Sequence, residues 1–386
     1  MITNGFMYLA VIIFFAGLVI LVEKKSDSKF FKYVPAIVVI YFSVMLLSTF
    51  HVWEKTDSVT AAYKAVKGNL LPAMIFLMLL RCDLRKIMKL GPKMLIGFFS
   101  ASISIGIGFV VMFAMFKGAF EPGSWKAFAA LAGSWMGGTG NMAAIQGALD
   151  ITDSSMGYTL LIDSIDYSIW VMILLALVPF EKMFSKFTKA DGTALAEVTK
   201  HLEAEDNGNK NHVDFYELML LLGTSLFVSA FAQYFAGILP KTSFITGTTW
   251  SVMIATVAGV TLAMTKFGKI GGSSQLSNVM LYTIVGLIAS RANFAELGDA
   301  PLYILAGFVI LLVHALIMIV VAKIFKLDLF TCGIASLANI GGVASAPILA
   351  ASYGEVLIPV GVLMAMLGYI IGTGGGLMVG KILSMM

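Results

Sequence analysis

Ten apolar runs succeed one another along the chain, near residues 6–22, 34–50, 68–80, 94–116, 156–180, 215–239, 245–265, 274–290, 302–322 and 356–380, with polar breaks between them. A helix crosses a hydrocarbon core with roughly 17–25 predominantly apolar residues. The pattern therefore predicts an all-α polytopic membrane protein. Composition agrees: with 59% hydrophobic and 12% charged residues the chain has too little polar surface to enclose its apolar surface in water. The net charge of +4 does not point to nucleic acid, because the Lys and Arg residues sit in short blocks between apolar runs rather than on one basic face. Cys82 and Cys332 follow no disulfide or zinc spacing. Ile2–Val22 has no basic leader and no small-residue cleavage site, and is expected to be a retained first span.

Two further stretches, 125–149 and 329–352, are apolar but crowded with Gly, Ser, Thr and Asn. Whether they cross the bilayer sets the topology. If both re-enter and the N-terminus lies outside, the inner loops hold Lys24, Lys25, Lys29, Lys32, Arg81, Arg85, Lys86, Lys89, Lys93, the five lysines of 181–213, Lys266, Lys269, Lys323 and Lys326, which is 18 of 26 basic residues. If both cross, about 11 remain inside. The bias favours re-entrant hairpins, leaving five spans per half. An odd number inverts the second half relative to the first. The expected organisation is an N-terminal repeat over 1–180 with its hairpin at 125–149, a cytoplasmic linker over 181–213, and a C-terminal repeat over 214–386 with its hairpin at 329–352. Internal echoes agree: Leu95, Gly97 and Phe98 match Leu305, Gly307 and Phe308, and Gly137-Gly138 matches Gly341-Gly342 at nearly the same offset. The linker has room for a short amphipathic helix near Leu195–Leu202, and His201 and His212 are expected to be solvated there.

The hairpins carry the chemistry. Gly133, Gly137, Gly138 and Gly140 each weaken a continuous helix by roughly 1 kcal/mol, so the first hairpin should break at bilayer depth, where broken backbone survives only against protein or a wet cavity. The second, from Ala335 to Pro347, is closed by a proline lacking a backbone donor. Ser134, Gly138, Thr139, Gly140 and Asn141 from the first tip and Asn339, Gly341, Gly342 and Ser345 from the second are the candidate solute-binding residues, with half-helix N-termini turned toward an anionic group. Small-residue helix packing is the plainer alternative. Asp163 and Asp166, three apart, share one helix face, and a carboxylate in a span calls for a cation, a proton or water. They are the candidate ion-coupling pair. His314 is either a proton relay or a neutral, hydrogen-bonded histidine, and Thr373, among Gly372, Gly374, Gly375 and Gly376 that permit close approach to a hairpin, is a third candidate ion-coupling residue, with packing alone as the alternative. Gly375 to Lys381 imitates part of a phosphate loop, but Ile382 replaces the required hydroxyl residue. Nor do two acids on one helix face suit an aspartyl hydrolase, so an enzyme is not expected.

The segments Gly133-Ser134-Trp135-Met136-Gly137-Gly138-Thr139-Gly140-Asn141-Met142-Ala143-Ala144 and Ala338-Asn339-Ile340-Gly341-Gly342-Val343-Ala344-Ser345-Ala346-Pro347 resemble those of the YjcL-like family of uncharacterised membrane proteins (domain of unknown function 819), and the resemblance extends over nearly the whole chain. That family is grouped with the cation/proton antiporter and anion transporter superfamily, which includes bacterial sodium/glutamate symporters. The resemblance implies a homodimeric elevator-type carrier in the bacterial cytoplasmic (inner) membrane, with Asn141, Asn339 and flanking glycines at the site and Asp163 as an ion-coupling position. Arg81, Arg85 and Arg291 all lie near span ends, so no guanidinium is placed to clamp a dicarboxylate. The expected function is sodium- or proton-coupled symport of an amino acid or monocarboxylate-like solute. The alternative is a cation/proton antiporter using the Asp163/Asp166 pair. A scaffold protein, with glycines serving packing alone, is the third possibility. No cofactor beyond a coupling sodium ion or proton is expected.

Overall fold

The computed structural model describes all residues except 27–29, 191–212, 243–244, 294–299 and 355–356. Setting aside pieces of five residues or fewer, its helices are α1 (Gly5–Lys25), α2 (Ala36–Thr49), α3 (Asp57–Leu79), α4 (Gly91–Phe116), α5 (Trp125–Gly137), α6 (Thr139–Ala148), α7 (Asp153–Leu177), α8 (Glu181–Thr188), α9 (Phe215–Ile238), α10 (Gly247–Ala263), α11 (Ser273–Ala289), α12 (Ala300–Phe325), α13 (Leu329–Ile340), α14 (Gly342–Tyr353) and α15 (Ile358–Ser384). Among the described residues there is no strand, only an isolated bridge between Ile2 and Trp53.

Among the described residues six helices are long and apolar enough to cross a membrane: α1, α4, α7, α9, α12 and α15. The other four expected spans fall short of that measure. α2, α10 and α11 have 14, 17 and 17 residues, and α3 is 23 residues long but polar over its first half. The apolar run at 68–80 hid this last helix, which begins eleven residues earlier. Thr56 caps it by accepting a hydrogen bond from the Val59 amide at 3.3 Å, so Tyr63, Lys64 and Lys67 are helical rather than in a loop.

Both glycine-rich stretches fold back on themselves. A Cβ placed on Gly133 of α5 would lie 2.2 Å from Ile145 Cδ1 of α6, and one on Gly333 of α13 would lie 3.1 Å from Leu349 of α14. Such contacts across 12 and 16 residues require antiparallel arms, since a straight helix would separate them by about 18 Å or more. Gly138, the hinge of the first hairpin, has φ +83°, a conformation that costs other residues.

Among the described residues the element order repeats: four helices, a hairpin and one more helix in each half, with α8 between them. The packing cuts across this division. α1, α2, α3, α9, α10 and α11 form one panel, whereas α4, α7, α12 and α15 pack with both hairpins in a second body. The chief seam runs along α6, which touches α3 and α10. Within the second body α15 lies almost backbone to backbone on α5: a Cβ on Gly137 would stand 2.2 Å from the Gly368 carbonyl oxygen, and one on Gly376 2.7 Å from the Gly133 nitrogen. The linker expected at 181–213 begins with α8, where Glu181 accepts from the Phe330 amide at 3.0 Å. Leu195–Leu202, His201 and His212 lie outside the described residues.

Candidate functional site

The two hairpin tips meet beside α7 and face the panel across a cavity of about 390 Å³. Ser134, Gly138, Thr139 and Gly140 come from the first tip, Gly341, Gly342, Val343 and Ala344 from the second, and Asp163, Ser164 and Tyr167 from α7. The panel contributes Pro35, Ile37 and Val38 at the start of α2, Met78 near the end of α3, and Asn278 and Tyr282 of α11. Pro35, Ile37, Val38 and Met78 lie at one end of the panel, and Asn278 and Tyr282 in the first two-thirds of α11.

Two helix N-termini border this space. α6 begins at Thr139 and α14 at Gly342, neither with a side-chain cap, and the free amides of a first turn carry partial positive charge. Opposite in sign is Asp163, whose Oδ1 accepts from Ser134 Oγ at 3.1 Å and Trp135 Nε1 at 3.0 Å. Among the described residues lining the cavity there is no Lys or Arg.

Of the residues singled out from sequence, Ser134, Gly138, Thr139, Gly140, Asp163, Gly341 and Gly342 come together on this wall. Asn141, Asn339, Ser345, Asp166 and Thr373 do not line it. Asn141 is buried, its Nδ2 donating to the Gly137 carbonyl at 2.6 Å while Thr373 Oγ1 donates to its Oδ1 at 2.5 Å. Asn339 is buried likewise: Nδ2 donates to the carbonyls of Ala335 (2.9 Å) and Phe98 (3.3 Å), and Oδ1 accepts from Ser102 Oγ at 2.7 Å. Both asparagines therefore hold the tips in place, tying one to α15 and the other to α4. Ser345 Oγ is buried against Gly341. Sequence reading missed Ser164, Tyr167, Asn278, Tyr282 and Tyr369. An amide inside the apolar run 274–290 was the one legible signal, at Asn278.

His314 is fully built into the packing. Its Nδ1 pairs with Ser104 Oγ at 2.7 Å and its Nε2 with Ser336 Oγ at 2.8 Å, and Trp170 Nε1 donates to the same Ser336 hydroxyl at 2.8 Å. Of the two readings, the hydrogen bonds on both ring nitrogens match the histidine packed against neighbouring helices.

At the opposite end of the bundle lies another cavity of about 490 Å³, lined by Tyr63, Lys64, Lys67, Gln146, Asp150, Gln233 and Lys241 among others. A polar cluster spans the seam beside it. Asp153 at the start of α7 accepts from Tyr63 Oη at 2.8 and 2.9 Å, Gln146 Nε2 at 2.7 Å and Lys67 Nζ at 3.4 Å.

A multi-pass helical membrane protein with paired broken hairpins is the class these features define. The model of a family described as "Protein of unknown function (DUF819)" matches residues 10–386, and the chain belongs to that family. It is also similar to the "Uncharacterized membrane protein YjcL" of Bacillus subtilis (strain 168), at 25% identity over 334 residues covering 83% of each chain.

Proposed function

We propose that the protein is a secondary active transporter that couples a small organic solute to sodium or protons, the second body moving against the panel in elevator fashion. The observation that carries this reading is the convergence of both hairpin tips and Asp163 on one cavity between two separately packed bodies. Uncapped helix N-termini suit a carboxylate, and the Asp163 carboxylate suits an ammonium group or a cation. An amino-acid zwitterion uses both. Monocarboxylate with a bound cation is the near variant, in keeping with the absence of a basic side chain among the described lining residues.

With the charge bias of the loops, the N-terminus is outside, the cavity opens to the cytoplasm and the Asp153 cluster closes the outer face of a bacterial inner membrane. The two halves are then inverted repeats, and the family resemblance adds a homodimer. Asp163 and Asp166 do different things, one on the cavity and one packed away from it, which supports transport over hydrolysis.

Thermal unfolding of the purified protein across sodium concentration, with and without panels of amino acids and carboxylates, tests this, because a ligand that prefers the native state raises its stability. A sodium- or pH-dependent rise enlarged by one solute and lost in Asp163→Asn supports symport. Cavity-lining Asp163 without a basic partner also suits a cation/proton antiporter, for which cation and pH alone would shift stability. No response to any of these would sink the transporter reading.

A further inference from the structure

We propose that Asp166 is a dedicated proton-binding site, separate from the solute and cation site at Asp163, and that Gly307 of α12 makes the space for its carboxyl group. This rests on the transporter reading and deepens it by assigning the two acids different ligands.

Asp166 has 0% of its surface exposed, and neither carboxylate oxygen receives a hydrogen bond. Gly307 of α12 and Ile162 press against it: a Cβ built on Gly307 would stand 1.6 Å from Asp166 Oδ2 and 2.5 Å from Ile162 Cγ2. Asp163, one turn earlier, differs in every respect, since it takes two hydrogen bonds and lines the cavity.

An ionised carboxylate in such a place needs a cation or several donors. The ionisable neighbours do not supply them. On α7 these are Asp163 and Tyr167. On α12, Tyr303 lies one turn before Gly307 and stacks on Tyr158 at 4.2 Å, and His314, two turns after, has both ring nitrogens engaged by serines. On α5, the Trp135 indole is given to Asp163, and Lys126 at the far end donates to the Leu149 carbonyl at 3.0 Å. Tyr282 of α11 lines the cavity, Cys332 and Asp328 sit at the start of α13 and Tyr353 at the end of α14. A hard metal cation, which gathers a cage of oxygens, finds Ile162 and the Gly307 backbone instead.

The group that satisfies this site without further ligands is a proton. An O–H bond of a hydronium ion breaks as the Asp166 carboxyl O–H forms when the site is reached from one side. On release toward the other side the Asp166 O–H breaks as one forms on water or on the Asp163 carboxylate at the cavity wall, so each step moves one proton and leaves no electron unpaired.

Infrared difference spectroscopy on the full chain in lipid nanodiscs reads this directly. At neutral pH the wild type should show the C=O stretch of a protonated carboxyl that Asp166→Asn removes and Asp163→Asn retains, and raising the pH should abolish it with a parallel fall in melting temperature. Sodium chloride is the competing probe, and should leave the Asp166 band unchanged. Gly307→Ala should lower the melting temperature sharply, and Asp166→Ala in the same chain should restore part of the loss, the contact with Ile162 remaining. A wild type with no such band, a band indifferent to Asp166→Asn, or one displaced by sodium overturns the proposal. Because the band needs no solute, its presence or absence stands apart from whether any solute stabilises the protein.

Discussion

The two hairpins are alike in composition and unlike in what holds them. The first is pressed along α15 and carries its second arm into the seam, where a Cβ on Gly147 would meet Thr248 of α10 at 2.8 Å and Leu71 of α3 at 3.0 Å. The second packs on α4, α5 and α15, within its own body, and presents its tip to the panel only across the cavity. Small residues therefore serve two ends in one chain. In the first hairpin they permit backbone contact with α15, and at the second tip Gly341 closes on Ser345 and Tyr167 while Gly342 leaves space.

That difference orders the expected effects of substitution. Gly137→Ala should be the most damaging, at about 3 kcal/mol, because the new methyl meets the Gly368 carbonyl and Asn141 rather than a movable side-chain end. Unfolding in mixed micelles measures it, and a change near zero would break the account of the first hairpin. Asp153→Ala comes next, losing about 2 kcal/mol through the stranded partners Tyr63, Lys67 and Gln146. It should also raise cysteine-reagent access to Ser251→Cys, a buried position of α10 lining the neighbouring cavity, and unchanged access would separate the cluster from any latch across the seam.

Asn339→Ala removes the anchor of the second tip to α4 and should cost about 1.5 kcal/mol. Asn339→Asp should cost more than alanine, because its buried carboxylate would face the Ala335 and Phe98 carbonyls with only the Ser102 donor left; a smaller loss than alanine would mean that the amide donors contribute nothing. Smallest is Gly342→Ala, about 1 kcal/mol, since its nearest neighbour is 4.0 Å away and only the φ of +59° resists a side chain. A larger loss there would make the second tip as tightly enclosed as the first.

The hairpins and the acid on the cavity were legible because both depend on local chemistry. Gly133-Ser134-Trp135-Met136-Gly137-Gly138 cannot continue as a stable helix, and a carboxylate at Asp163 is unexpected in an apolar run. The roles of Asn141 and Asn339 were not legible. A primary amide satisfies a backbone carbonyl as well as it binds a solute, and spacing does not reveal which lies within 3 Å. Likewise α3 escaped hydropathy because Lys64 and Lys67 are polar, although Asp153 and the Tyr63 hydroxyl accommodate Lys67 in the fold.

Asp163 and Asp166 share a helix face in any linear reading, yet one meets Ser134 and Trp135 while the other meets Gly307 of a helix some 140 residues away. Tyr167, Asn278, Tyr282 and Tyr369 reach the same cavity from three helices with no common motif. Hydropathy and glycine spacing alone specify a membrane protein, its long apolar helices and its two breaks, because lipid forces every segment to satisfy its own backbone. Which side chains line the cavity and which brace it follows from the contacts between the two bodies, since apolar helices in lipid choose partners by shape and by single hydrogen bonds that no periodicity encodes.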